Sequence, residues 1–73
     1  MTYGTITWEG TKFTLLEPMY EWAKIRIEVE DEKGVKIIHR VIRYHPYACD
    51  LYFIYKNNYF FKMEFLGAEN ESY

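Results

Sequence analysis

The sequence predicts an all-β domain of six short antiparallel strands in hairpin succession, arranged as a meander or a small barrel. Three observations carry that expectation. Apolar and charged residues alternate with period two, most clearly where Ala23, Ile25, Ile27 and Val29 interleave with Lys24, Arg26, Glu28 and Glu30. Turn-forming residues recur at short spacing, at Glu9-Gly10, Glu32-Lys33-Gly34 and Asn57-Asn58. Hydrophobic residues make up 49% of the 73 residues and aromatics alone 21%, well above the composition of a disordered chain.

A chain of this length admits one domain. We place it at residues 1–66, with residues 67–73, Gly-Ala-Glu-Asn-Glu-Ser-Tyr, as a flexible acidic tail. A fold this small buries only about 60% of the surface its unfolded chain exposes, so most of its large apolar side chains are needed for the core.

The first two strands cover residues 3–8 and 11–16 around the two-residue turn Glu9-Gly10. Pairing Trp8 with Thr11 sets Ile6 opposite Phe13 and gathers Ile6, Trp8, Phe13 and Leu15 on one face. Glu17-Pro18 ends this ladder, because proline has no amide to donate, and Pro18 suits the start of a single helical turn through Met19, Tyr20, Glu21 and Trp22. The third strand is the alternating segment 23–30. A three-residue loop, Glu32-Lys33-Gly34, with a bulge at Gly34 leads into the fourth, pairing Val29 with Ile37, Ile27 with His39 and Ile25 with Val41.

Residues 35–44 carry Ile37, Ile38, Val41 and Ile42 at helical spacing. Their β-branched content, the preceding glycine turn and the following Pro46 favour a strand. The last hairpin joins Leu51–Lys56 to Tyr59–Leu66 through Asn57-Asn58. That register sets Ile54 opposite Phe61 and Tyr52 opposite Met63, with Phe65 on the same face, and turns Phe53, Tyr55 and Phe60 to the reverse. Six strands in this order fit an SH3-like barrel. The alternative is an α+β domain in which residues 35–44 or 18–24 form a short helix packed on the sheet.

Several function classes are excluded or disfavoured. No apolar run is long enough to span a membrane, and the N-terminus, Met-Thr-Tyr-Gly-Thr, lacks a signal-peptide pattern. The lone Cys49 makes no internal disulfide, so we expect a reducing, cytoplasmic setting and no membrane partner. Phosphate-binding glycine motifs, HExxH and CxxC are absent. His45, Cys49, Asp50 and His39 lack the paired spacing of a structural zinc site. Cys49 with His45 has no third residue to orient it and no oxyanion loop, so neither cofactor, metal nor catalysis is expected.

Two features stand out from this background. Charge is segregated: Glu28, Glu30, Asp31 and Glu32 form an acidic hairpin tip, whereas residues 33–49 carry Lys33, Lys36, Arg40 and Arg43 and no acid. Lys36, Arg40, Arg43 and Tyr44 could together bind single-stranded nucleic acid, although a pI near 5.6 argues for mutual neutralisation instead. The second feature is the aromatic surplus from Tyr44 to Phe65. Aromatics on both faces of one hairpin exceed what a one-sided core requires, and tyrosine suits surfaces dry at one end and wet at the other.

The leading expectation is therefore a small protein-binding module, an inhibitor or adaptor, or a self-associating chain. It would act through Tyr44, Phe53, Tyr55, Phe60 and Arg40, with the acidic tip as a charge mimic. A small nucleic-acid-binding domain is the second expectation. In size, mild acidity and aromatic content the chain resembles the small proteins of bacteriophages and mobile elements, among them inhibitors of host defence such as anti-CRISPR proteins. That resemblance implies an inhibitor that competes for a basic host surface.

Overall fold

Glu9 and Gly10 both take positive φ, 49° and 77°, the backbone of a tight two-residue hairpin turn. They join β1 (Thr5–Trp8) to β2 (Thr11–Leu15) in the expected register, Trp8 opposite Thr11 and Ile6 opposite Phe13. The structure, a computed structural model, describes residues 3–65. Its further strands are β3 (Lys24–Asp31), β4 (Gly34–Val41), β5 (Arg43–His45), β6 (Asp50–Tyr55) and β7 (Asn58–Phe61), followed by a helical turn over residues 62–65. All pairings are antiparallel and join chain neighbours, in a four-stranded sheet β1-β2-β3-β4 and a three-stranded sheet β5-β6-β7. The all-β class holds, but among the described residues the strands number seven and the two sheets do not close into a barrel.

The extra strand arises within residues 35–44, which are extended rather than helical but break at Ile42. There the chain leaves one sheet for the other. Ile42 N donates to Ala23 O at 2.9 Å, and Trp22 N donates to Ile42 O at 2.6 Å. No helical turn forms at 18–22: Ala23 N closes a turn on Tyr20 O at 3.0 Å, with Trp22 at φ 69°. Among the described residues, no helix is long and apolar enough to cross a membrane. The expected tail 67–73 lies outside them.

Two registers differ from expectation: β3–β4 slips by one residue, which exchanges the two faces of β4, and β6–β7 slips by two, which keeps each face intact. Gly34 adopts the anticipated positive φ, 130°, yet it pairs directly with Asp31, so the β3–β4 loop is Glu32-Lys33 alone and no bulge forms. Ile38 then faces Ile27. Ile38 and Ile42 turn inward, while Ile37 and Val41, expected in the core, are exposed. At β6–β7 the turn is Lys56-Asn57, at φ 49° and 65°, not Asn57-Asn58. Phe53 therefore faces Phe60, and Ile54 faces Tyr59.

The consequence is a correction to the expected surface. Phe53, Tyr55 and Phe60 are 1%, 6% and 3% exposed and belong to the core. Phe13 from the first sheet packs against Phe60 at 4.7 Å and edge-on to Tyr55 at 5.4 Å, and Trp8 meets Phe60 edge-on at 5.6 Å. Leu15, Ile25, Ile27 and Val29 complete the inner face of the larger sheet, and Met19, Ile42 and Phe65 are also buried. Phe65 arrives there from the helical turn rather than from a continuing strand. Glu64 Oε1 accepts from Phe61 N at 3.0 Å and Asp50 Oδ2 from Met63 N at 2.9 Å, satisfying donors that a helix start leaves open.

Gly4 sits against this seam at φ 132°, and a Cβ built on it would lie 2.9 Å from the Phe65 Cβ. Gly4→Ala should cost about 1–3 kcal/mol, read as a lower urea midpoint. Gly10→Ala, whose Cβ meets nothing within 4 Å, should cost less; equal losses would mean that Phe65 does not pack on Gly4. Phe60→Ala should cost about 3–5 kcal/mol, a large share of the roughly 4–11 kcal/mol available to a domain of this size. A variant that melts like the parent would return Phe60 to the surface.

Candidate interaction surface

Period-two alternation leaves the other aromatics of β6 and β7 on the outer face of the small sheet. Arg43 and His45 of β5 lie across from Tyr52 and Asp50 of β6, while Tyr52 and Ile54 lie across from Phe61 and Tyr59 of β7. Tyr52 stacks on Tyr59 at 4.9 Å and 26°, with Phe61 5.8 Å from Tyr52 and 6.2 Å from Tyr59. The His45 ring stands edge-on to this group, 5.7 Å from Tyr52, 5.9 Å from Tyr59 and 5.7 Å from Phe61. Ile54 and Tyr59 remain 42% and 50% exposed, and Tyr47, beside His45, is almost wholly so. Offset and edge-to-face pairs of this kind add about 0.5–1.5 kcal/mol each beyond burial, so the face is held as a unit.

Local backbone geometry fixes His45 in place. The chain turns over residues 45–49, with Cys49 at φ 54° and its N–H donating to His45 O at 2.8 Å. His45 Nδ1 accepts from Ala48 N at 3.1 Å, so a neutral ring carries its proton on Nε2. Asp50 follows, with Oδ1 accepting from Leu51 N at 2.9 Å and Oδ2 holding the helical turn. Each of His45 and Asp50 thus has a structural role, and no group of three or more His, Cys, Asp and Glu side chains converges among the described residues.

The residues predicted to bind a partner do not form one surface. Tyr44 is exposed, but β5 pairing puts it with Leu51, on the opposite side of the sheet from His45 and Tyr52. Arg40 is half-buried and committed to the scaffold. Its Nε donates to Ile54 O at 2.9 Å and an Nη to His39 O at 2.8 Å, with the guanidinium 5.6 Å from the Tyr55 ring. The proposed nucleic-acid set divides in the same way: Lys36 and Arg40 gather on Tyr55, whereas Arg43 lies 5.0 Å from the exposed Trp22 ring. The acidic tip is split by alternation. Glu28 and Glu30 turn outward, with Lys12 paired to Glu30, and Asp31 lines the cleft between the hairpin ends near Tyr55 and Lys56.

Tyr52, Ile54, Tyr59 and Phe61, with His45, are the surface residues that the sequence reading missed. The expected grouping of faces holds, and what differs is which one is buried: Phe53, Tyr55 and Phe60 pack on Phe13 of the larger sheet, a contact between sheets that no pattern within the hairpin signals. Comparison of the chain with known protein families, curated proteins and solved structures finds no match.

Tyr44 has an altered acidity. Its interaction with Cys49, by hydrogen bonding and by thiolate charge, raises the phenol above the ordinary tyrosine value. The folded chain therefore holds that proton to higher pH than the unfolded chain does. Any associated stability is intact below about pH 10 and is lost as pH rises through the folded value. Cys49→Ala should bring the Tyr44 titration down towards the ordinary value when followed by NMR of ring-labelled tyrosine. An unchanged Tyr44 curve would remove Cys49 as the cause.

Proposed function

We propose that the chain is a small protein-binding module, an inhibitor or adaptor, that docks a partner on the outer face of β5–β7. The observation that carries this reading is a joined aromatic face left exposed in a protein that needs nearly all its apolar side chains for a core. Aromatic enrichment with little charge at the centre is the composition of protein interfaces. Tyrosine and isoleucine there give a partner a rigid apolar patch with polar tips.

A protein suits this face better than a nucleic acid. The cation that the strands place on it is Arg43, which stacks on Trp22, so the phosphate contacts that dominate nucleic-acid affinity lack a basic lining. The acids of the β3–β4 tip point to different sides, so the reading rests on the aromatic face rather than on charge mimicry.

Ile54→Glu with Tyr59→Lys tests the reading, because both side chains are exposed, the new cross-strand pair is of opposite charge, and the double variant should stay folded with a melting point lowered only by the lost Tyr59 stacking. Association should weaken by about 30-fold or more, as loss of a binding hot spot of about 2 kcal/mol implies. Sedimentation would report self-association, and affinity capture from a source lysate would report a different partner. A parent chain that stays monomeric and captures nothing, or a variant that binds equally well, would reject this face.

A further inference from the structure

β4 is an edge strand, last in the order β1-β2-β3-β4, and eight residues long. Its unpaired backbone groups can be assigned from its neighbour. Arg26 of β3 directs both main-chain groups towards β2: its N–H donates to Glu17 Oε1 at 2.7 Å, and its C=O accepts from Leu16 N at 3.1 Å. Main-chain direction alternates along a strand, so Ile25, Ile27 and Val29 serve β4. Their partners Arg40, Ile38 and Lys36 point back to β3. Val35, Ile37 and His39 then aim their N–H and C=O groups off the open edge. Arg40 donates to His39 O from its own side chain, leaving Val35, Ile37 and the His39 N–H unsatisfied by any strand.

The two sides of this edge differ in chemistry. On the outer side stand the exposed apolar side chains of Val35 and Ile37. On the inner side, Lys36 Nζ, the Arg40 guanidinium and Lys56 Nζ lie 5.7, 5.6 and 5.5 Å from the Tyr55 ring centroid. Among the described residues the ion pair present is Arg26 with Glu17, so these three cations share one ring without a direct ion pair, and Asp31 is the carboxylate that lines the clefts beside Lys36 and Lys56. Three like charges around one ring repel one another, and an incoming anion relieves that repulsion while the ring holds the cations in place.

We propose that the β4 edge, Val35–His39, accepts an extended segment of a partner protein in which apolar and acidic residues alternate. Main-chain bonds to Val35, Ile37 and His39 add the segment as a fifth strand of the larger sheet. Its apolar side chains cover Val35 and Ile37, and its carboxylates, one pleat away, meet Lys36 and Lys56. A second copy of this chain fits poorly, because antiparallel β4–β4 pairing would gather Lys36 and Arg40 of both copies on one face of the joined sheet and supply no carboxylate there. This edge is separate from the outer face of β5–β7, and the proposal stands without it.

The test is an NMR titration of the intact chain with an acetylated, amidated hexapeptide of alternating Val and Glu, and with its Val–Lys counterpart. The Val–Glu peptide should shift the amides of Val35, Ile37 and His39, weaken as salt rises, and lose at least tenfold in affinity in the Lys36→Glu, Lys56→Glu variant. That variant should acquire a preference for the Val–Lys peptide. Ile37→Pro supplies a second variant, since it removes an outward amide that the β3 ladder does not use, and it should abolish binding of the Val–Glu peptide. Equal binding of both peptides, no shift with either, or shifts centred on Tyr52 and Tyr59 would overturn the proposal. Concentration-dependent shifts at Val35–His39 without peptide would assign the edge to a second copy and overturn it equally.

Discussion

The contact of Phe13 with Phe60 and Tyr55 is the constraint on which the rest of the molecule depends. Two small sheets have no shared hydrogen-bond ladder, and these rings join them across the interior. Bringing Phe53, Tyr55 and Phe60 to Phe13 decides which side of the β6–β7 hairpin is dry. With period-two alternation it also decides that Tyr52, Ile54, Tyr59 and Phe61 face water. The exposed aromatic face is in that sense a consequence of the core.

The same seam organises the nearby charge. Tyr55 presents an electron-rich ring at the margin of the core, and cations from β4 and from the β6–β7 turn settle around it. Arg40 has the further task of satisfying Ile54 O, a carbonyl beyond the reach of β5, whose ladder stops at Arg43 opposite Tyr52. A residue that looks like a surface cation in sequence is thereby a tie between the two sheets.

Much of the fold was legible in the sequence, but which face of the last hairpin and of β4 is buried was not. The Glu9-Gly10 turn set the first hairpin correctly because glycine tolerates positive φ and the flanking faces differ sharply, Ile6, Trp8, Phe13 and Leu15 against threonines and Lys12. The strand character of residues 35–44 followed from β-branching. The last hairpin had no such contrast. Phe53, Tyr55 and Phe60 are about as apolar as Tyr52, Ile54 and Phe61, so either face could have been the core, and Asn57-Asn58 is locally a better turn than Lys56-Asn57. The turn at Lys56-Asn57, with Lys56 at φ 49°, sets Phe53 directly opposite Phe60, where the two rings stack at 5.2 Å. The pairs Ile37/Ile38 and Val41/Ile42 posed the same ambiguity. The helical turn at 62–65 depends on Asp50, thirteen residues earlier in the chain, which no local pattern reveals.

Each strand pairs with its neighbour in sequence, and the chain changes sheet once, at Ile42. Loops between paired strands are short except for residues 16–23, so most ordering steps close small rings of chain at little entropic cost. Such connectivity gives a low contact order for an all-β protein and favours rapid folding. The hairpins can form one after another as the chain emerges during synthesis. The contacts of Phe13 with Phe60 and Tyr55 span more than forty residues of chain, so they are the long-range closure in an otherwise local set of hairpins.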